Sequence, residues 1–191
     1  MRGPEQKLRY LALGDSYTIG TGASDAAHAW PSIIAARLGA ELVNPAVNGF
    51  TTLDLIRDEL PLVESFQPDL VTVLIGVNDL VQGRSPEEYR TSLRTIYDTV
   101  GGRKVVAVSI PTWSYVPAAA QFGGKEQVER LTGVFNAIAH DEAERRGFGW
   151  VDLGAASTTG IGTDGWIASD DLHPGDVQYA VWAEAIWPAI R

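Results

Sequence analysis

Leu70-Val71-Thr72-Val73-Leu74-Ile75 is a nearly unbroken apolar, β-branched run. Nothing in it alternates between apolar and polar, so a strand here has no wet face. It is buried on both sides, as the strands of parallel sheets are. Comparable runs occupy Leu8–Leu13, Val105–Ser109 and Phe148–Leu153, with a shorter one at Glu41–Asn44. Segments with apolar residues at helical spacing lie between and after them. These are Ala29–Leu38, a helix around Leu53–Leu60 whose continuation past Pro61 to Phe66 is open, Pro86 to about Val100, about Glu126 to Arg146, and Asp176–Ile190. Ser85-Pro86-Glu87-Glu88 carries its own start signal, with Ser85 as cap, Pro86 at the first position and Glu88 closing a capping box. Five strands alternating with helices predict an α/β fold with a parallel sheet, helices on both faces and right-handed crossovers. The chain has 191 residues, 45% of them hydrophobic, with no repeat and no linker, so one domain over residues 1–191 is expected.

Charge narrows the partners. A formal net charge of -9 repels phosphate backbones and anionic lipid heads, which argues against nucleic acid. The absence of cysteine removes disulfides, thiolate nucleophiles and Cys-based metal sites. No apolar run approaches the ~20 residues of a membrane span. Met1–Gln6 is polar and has no apolar signal core. The expected compartment is cytoplasmic, with a trimmed secreted form as the alternative; oligomeric state cannot be read.

The first strand ends in Gly14-Asp15-Ser16 and a Gly-rich segment to Gly22. That arrangement sets the Ser16 hydroxyl at the carboxyl end of a strand, where parallel α/β sheets hold their ligands. The plainer reading of Gly-Asp-Ser is a turn, because Asp and Ser bond back to nearby backbone. A nucleophile needs a base, an orienting acid and oxyanion donors. The chain has three histidines: His28, His140 and His173. His140 reads as a surface residue on a helix, and His28 as a rim contact. His173 follows Asp170 by three residues, close enough for the carboxylate to accept the second imidazole N–H across a local turn. Asp-x-x-His-Pro also reads as a helix cap, with Pro174 near the first helical position. Gly49 and Asn78 follow other predicted strands and offer a backbone N–H and a side-chain amide. Loop geometry at Gly49 and an Asx-type turn at Asn78-Asp79 are the alternatives for those residues taken alone.

Gly14-Asp15-Ser16, the Gly49 loop, Gly76-Val77-Asn78-Asp79 and Asp170-Asp171-Leu172-His173-Pro174 occur in that order along the chain. Together they resemble the SGNH hydrolase superfamily, also called GDSL esterases and lipases. The resemblance implies a three-layer α/β/α sandwich with a five-stranded parallel sheet, flavodoxin-like in arrangement. It implies Ser16 as nucleophile, His173 as base and Asp170 as its orienter. The oxyanion hole would be the Ser16 and Gly49 N–H groups and the Asn78 side chain, while Asp15 and Asp79 would bond the loops they sit in. No cofactor and no metal is implied. The Gly-x-Ser-x-Gly elbow of α/β-hydrolases is absent.

The implied activity is hydrolysis of carboxylic esters, of a small molecule or a glycan. Acyl transfer, thioester cleavage and lysophospholipid hydrolysis are variants of the same site. A non-catalytic carbohydrate- or lipid-binding module on the same fold is the alternative of a different class. Trp113, Tyr115 and Phe122, in the loop Pro111–Gly124, and Trp166, shortly before Asp170, read either as pocket walls or as cover for the core edge. The chain is short and has no obvious large lid, which favours short, acetyl-type acyl groups.

Overall fold

The computed structural model describes residues 7–191. The polar stretch Met1–Gln6, expected to hold no signal core, lies outside the described residues. Strands β1 (Arg9–Gly14), β2 (Glu41–Val43), β3 (Leu70–Leu74), β4 (Lys104–Val108) and β5 (Gly149–Val151) form one sheet of order β2-β1-β3-β4-β5. Every neighbouring pair is parallel. All residues of β3 are buried, as its unbroken apolar run requires.

Helix α2 (Trp30–Leu38) packs on α8 (Asp176–Ile190), and α6 (Pro86–Val100) packs on α7 (Gly124–Glu144). The helices sandwich the sheet. Trp30, Trp182, Tyr10, Tyr89 and Phe135 lie in the core with at most 1% exposure each. The Ser85 cap of α6 forms as its sequence predicts: the Glu88 amide donates to Ser85 Oγ at 3.3 Å and the Ser85 amide to Glu88 Oε2 at 2.8 Å.

Three local features depart from the sequence reading. Short helices α1 (Ser16–Ile19) and α5 (Val77–Val81) occupy what read as a Gly-rich segment and an Asx-type turn. The helix around Leu53–Leu60 is composite: α3 (Thr52–Asp54) runs into a π-helical turn, Leu55–Glu59, and then into α4 (Pro61–Phe66). The loop after β4 contains a 3-10 helix, Pro117–Phe122. Propensity cannot separate the three helix types over such short segments.

Strand order positions the site. Chain direction across the sheet reverses between β1 and β3, and open α/β sheets bind ligands outside the carboxyl ends of strands at such a point. Gly14 pairs with Leu74 at the ends of these two strands. Ser16 and Asn78 come a few residues later in each case and therefore share one rim.

Candidate active site

Ser16 opens α1, whose cap is Asp15; Asp15 Oδ1 accepts the Tyr17 N–H at 3.0 Å. The close approach of strand and helix demands glycine at residue 14. A Cβ there would lie 2.2 Å from Thr18 Oγ1 and 2.4 Å from the Leu74 carbonyl oxygen. Ser16 is 6% exposed and lines a cleft with Tyr17, Val77, Asn78, Val81, Trp113, Phe122, Leu172 and His173.

The His173 loop is a small hairpin rather than a helix cap. Ile167 and Pro174 form an antiparallel bridge, the Ala168 N–H donates to the His173 carbonyl at 2.8 Å, and α8 begins only after its cap Gly175. Within that hairpin Asp170 organises its own turn. Its Oδ1 accepts the Leu172 N–H at 3.0 Å and the His173 N–H at 2.9 Å, while Oδ2 lies 2.6 Å from His173 Nδ1. Burial works to raise the Asp170 pKa, but the hydrogen bonds from the His173 ring and from the two amides outweigh it. The carboxyl is held below its ordinary value. An ionised carboxylate only accepts hydrogen bonds, so Nδ1 is the donor in this contact. The Tyr17 ring meets the imidazole edge-on, with centroids 6.0 Å apart. The hairpin also needs glycine at residue 22, where a Cβ would fall 2.5 Å from the Pro174 carbonyl oxygen.

Asn78 sits in the first turn of α5, and its Nδ2 donates to the Phe50 carbonyl at 2.9 Å. It also reaches Asp15 Oδ2 at 3.5 Å. Gly49 lies one residue before Phe50, in an exposed turn at φ +82°, and is not among the cleft residues. Asn78 thus ties the Gly49 loop to the Ser16 turn.

Asp79 is fully buried and reaches beyond its own loop. It accepts from the Thr52 N–H at 2.8 Å, the Thr52 hydroxyl at 2.6 Å and Arg84 at 2.9 Å. Burial pushes Asp15 up to about 7, helped by the negative charge of Asp79 and opposed by the Tyr17 amide.

The four aromatic residues divide. Trp113 and Phe122 line the cleft. Trp113 is 3% exposed and its indole N–H donates to Thr132 Oγ1 at 3.1 Å, so it is a fixed wall. Tyr115 and Trp166 bind each other instead, Trp166 Nε1 donating to Tyr115 Oη at 3.0 Å. Trp166 is 2% exposed. Neither lines the cleft beside Ser16: Trp166 is buried, and half-buried Tyr115 lines a small hollow with Tyr17, Trp113 and Leu172. Each ring has a polar atom that needs a partner where it leaves water.

His28 lies on the exterior, its Nδ1 3.0 Å from Asp25 and 3.1 Å from Ser24 Oγ. His140 is exposed on α7 beside the Trp150 ring. Tyr17, Val77, Val81 and Leu172 line the cleft and were not read from the sequence. Three of them adjoin Ser16, Asn78 or His173, and adjacency was the only available signal.

The cleft holds about 70 Å³ of space. A larger hollow of about 340 Å³ is lined by Thr112, Glu129, Thr132, Asn136 and Asp152 and shares Trp113 with it. That hollow contains neither Ser16 nor His173.

The sequence model of the GDSL-like Lipase/Acylhydrolase family matches residues 12–181, which include all four motif blocks. The chain belongs to this family. It is a carboxylic ester hydrolase of the GDSL kind. Esterase TesA of Pseudomonas aeruginosa is 23% identical over 95% of this chain and 87% of that protein. Among solved structures, an extracellular lipase from Streptomyces rimosus superposes with a TM-score of 0.78 at 20% identity, covering 95% of this chain and 99% of the lipase. A carbohydrate acetylesterase family member from Sinorhizobium meliloti gives 0.77 at 18% identity, covering 96% and 97%. The shared architecture is the five-stranded parallel sheet flanked by helices. Among the described residues, no helix is long and apolar enough to cross a membrane.

Proposed function

We propose that this GDSL hydrolase cleaves short-chain, acetyl-type esters by a Ser16-His173-Asp170 triad. The observation that carries the proposal is one shared cleft: Ser16, Asn78 and His173 line it together, and Asp170 holds His173 at 2.6 Å from the far side of the ring. His173 Nε2 takes the Ser16 proton as Oγ attacks the ester carbonyl carbon. The carbonyl oxygen becomes an oxyanion that accepts from the Ser16 N–H and from Asn78 Nδ2, with the Gly49 N–H, in the turn that Asn78 ties down through Phe50, as the third donor once ester fills the cleft. One Asn78 hydrogen is engaged by the Phe50 carbonyl at 2.9 Å, which aims the amide, and the second exchanges its long 3.5 Å contact with Asp15 Oδ2 for the oxyanion. The carbon–oxygen bond to the alcohol then breaks, and His173 protonates the leaving oxygen. Water, deprotonated by the same imidazole, attacks the acyl-Ser16 ester and releases the acid.

Size supports a short acyl group. About 70 Å³ is well below the ~300–1,000 Å³ of pockets that enclose drug-sized ligands, and Val77, Val81, Phe122 and the fixed Trp113 bound it with apolar surface. The test is Ser16→Ala with a panel of p-nitrophenyl esters. The variant should melt like the parent and lose both turnover and fluorophosphonate labelling. Labelling that persists would refute the nucleophile, and decanoyl esters outpacing acetyl and butyryl esters in the parent would refute the short acyl preference.

A further inference from the structure

Glu59 ends the π-helical turn Leu55–Glu59, closed by the Leu60 N–H donating to the Leu55 carbonyl at 3.1 Å. Its side chain is 0% exposed. Oε2 accepts the Gly14 N–H at 2.9 Å across 45 residues of sequence, and Oε1 is buried without a hydrogen-bond partner. Gly14 is the last residue of β1 and immediately precedes Asp15-Ser16. A π turn holds one residue more than an α turn, so it rotates the next side chains by about 100°, one residue's share of a helical turn. Such turns are rare and gather at functional sites. This one ends where a buried carboxyl meets the backbone leading into Ser16. Burial raises the pKa of that carboxyl to about 8, with the Gly14 amide opposing and Asp15 and Asp58 adding to the rise. A hydrogen-bond acceptor buried at such electrostatic cost is an odd choice for packing alone.

We infer that Glu59 is a positioning residue for the nucleophile, its carboxyl fixing the Gly14 amide and with it the Asp15-Ser16 turn; the inference rests on Ser16 being the nucleophile. The contact fixes backbone two residues from the reacting oxygen, where a displacement of ~1 Å is enough to lower turnover about a hundredfold. Reach matters here, and charge does not.

Three variants separate reach from charge. Glu59→Gln keeps the length and an acceptor oxygen. Glu59→Asp keeps the carboxyl but falls one carbon short. Glu59→Met keeps the length and has no oxygen. Turnover of p-nitrophenyl acetate is normalised to active sites counted by fluorophosphonate labelling, and melting temperatures are recorded. E59Q should retain kcat within about threefold, while E59D and E59M should lose about tenfold or more in kcat with KM within about twofold. E59M decides alone if E59D is too unstable to assay. Wild-type kcat in either, or a loss in E59Q equal to theirs, overturns the inference. Ser16→Ala in the same assay keeps the two readings apart. If it stays active, the nucleophile assignment fails and this inference with it. If it is inactive while E59D and E59M match the parent, only the role of Glu59 fails.

Discussion

Tyr115→Phe removes one oxygen from a polar cluster shared with Trp166, Gln178 and Ser157. That oxygen accepts from Trp166 Nε1 at 3.0 Å and from Gln178 Nε2 at 2.7 Å, and donates to the Ser157 carbonyl at 2.8 Å. Gln178 and Ser157 keep a bond to each other, Nε2 to carbonyl oxygen at 2.9 Å. Trp166 has no such substitute, and its ring is locked where it is. A Cβ on Gly160 would lie 2.3 Å from the indole, a measure of how closely backbone covers it. One buried N–H left unsatisfied costs about 1–3 kcal/mol. A central value of about 2 kcal/mol corresponds to a fall of about 4–8 °C in melting temperature for a domain of this size. Calorimetry or urea unfolding reads it directly. Tyr115 lies outside the catalytic cleft, so KM should stay within about twofold while kcat falls as the His173 hairpin loosens. A drop below about 1 °C would mean that water reaches Trp166 and Ser157, and that the cluster is not sealed. A large rise in KM with kcat unchanged would return Tyr115 to the pocket wall.

Asn78→Ala should lower kcat by roughly 10²–10³-fold, the scale of one oxyanion donor, and kinetics within tenfold of the parent would remove Asn78 from the hole. Stability should fall as pH rises from about 4 to about 8. Asp15 and Glu59 have folded-state pKa values raised by burial to about 7 and about 8, from ordinary values of 3.8 and 4.5. Between those limits the folded chain binds more protons than the unfolded one. The stabilisation is complete below the ordinary values and is lost as pH rises through about 7 and about 8. Carboxylates held low, such as Asp54 and Asp170, act at lower pH and do not offset this. The urea midpoint should therefore be lower at about pH 8.5 than at about pH 5.5, and Glu59→Gln should flatten the decline; a midpoint that rises with pH refutes the assignment.

Much of this protein is local, and local features are legible in a sequence. An unbroken β-branched run such as Leu70–Leu74 has no polar face to offer, so both faces must be covered, and alternation with helices leaves a parallel sheet as the economical solution. The Ser85–Glu88 capping box is closed by residues three apart. The Asp170-His173 pair is likewise closed across one turn, with spacing alone bringing Oδ2 to Nδ1. Family motifs in fixed order point to the remaining candidate site residues.

What spacing could not supply is anything that depends on two distant segments meeting. The sheet order puts β1 beside β3 and so brings Ser16 and Asn78 onto one rim, although 62 residues part the same two strands at the Tyr10–Thr72 bond. Tyr115 and Trp166 are aromatic residues near functional loops, and their sequence environment fits a pocket wall as well as a core edge. Only the folded chain shows that one ring's N–H closes on the other's hydroxyl, 51 residues away. Glu59 is the sharpest case. A helical wheel puts it on the apolar face, four residues after Leu55 and four before Val63, but only the folded chain shows that its carboxyl meets the Gly14 amide, 45 residues away. The sequence by itself determined which elements form and which side chains have the chemistry. Tertiary structure alone decided which of them touch, because burial and long-range hydrogen bonding are properties of the assembled core and not of any segment in it.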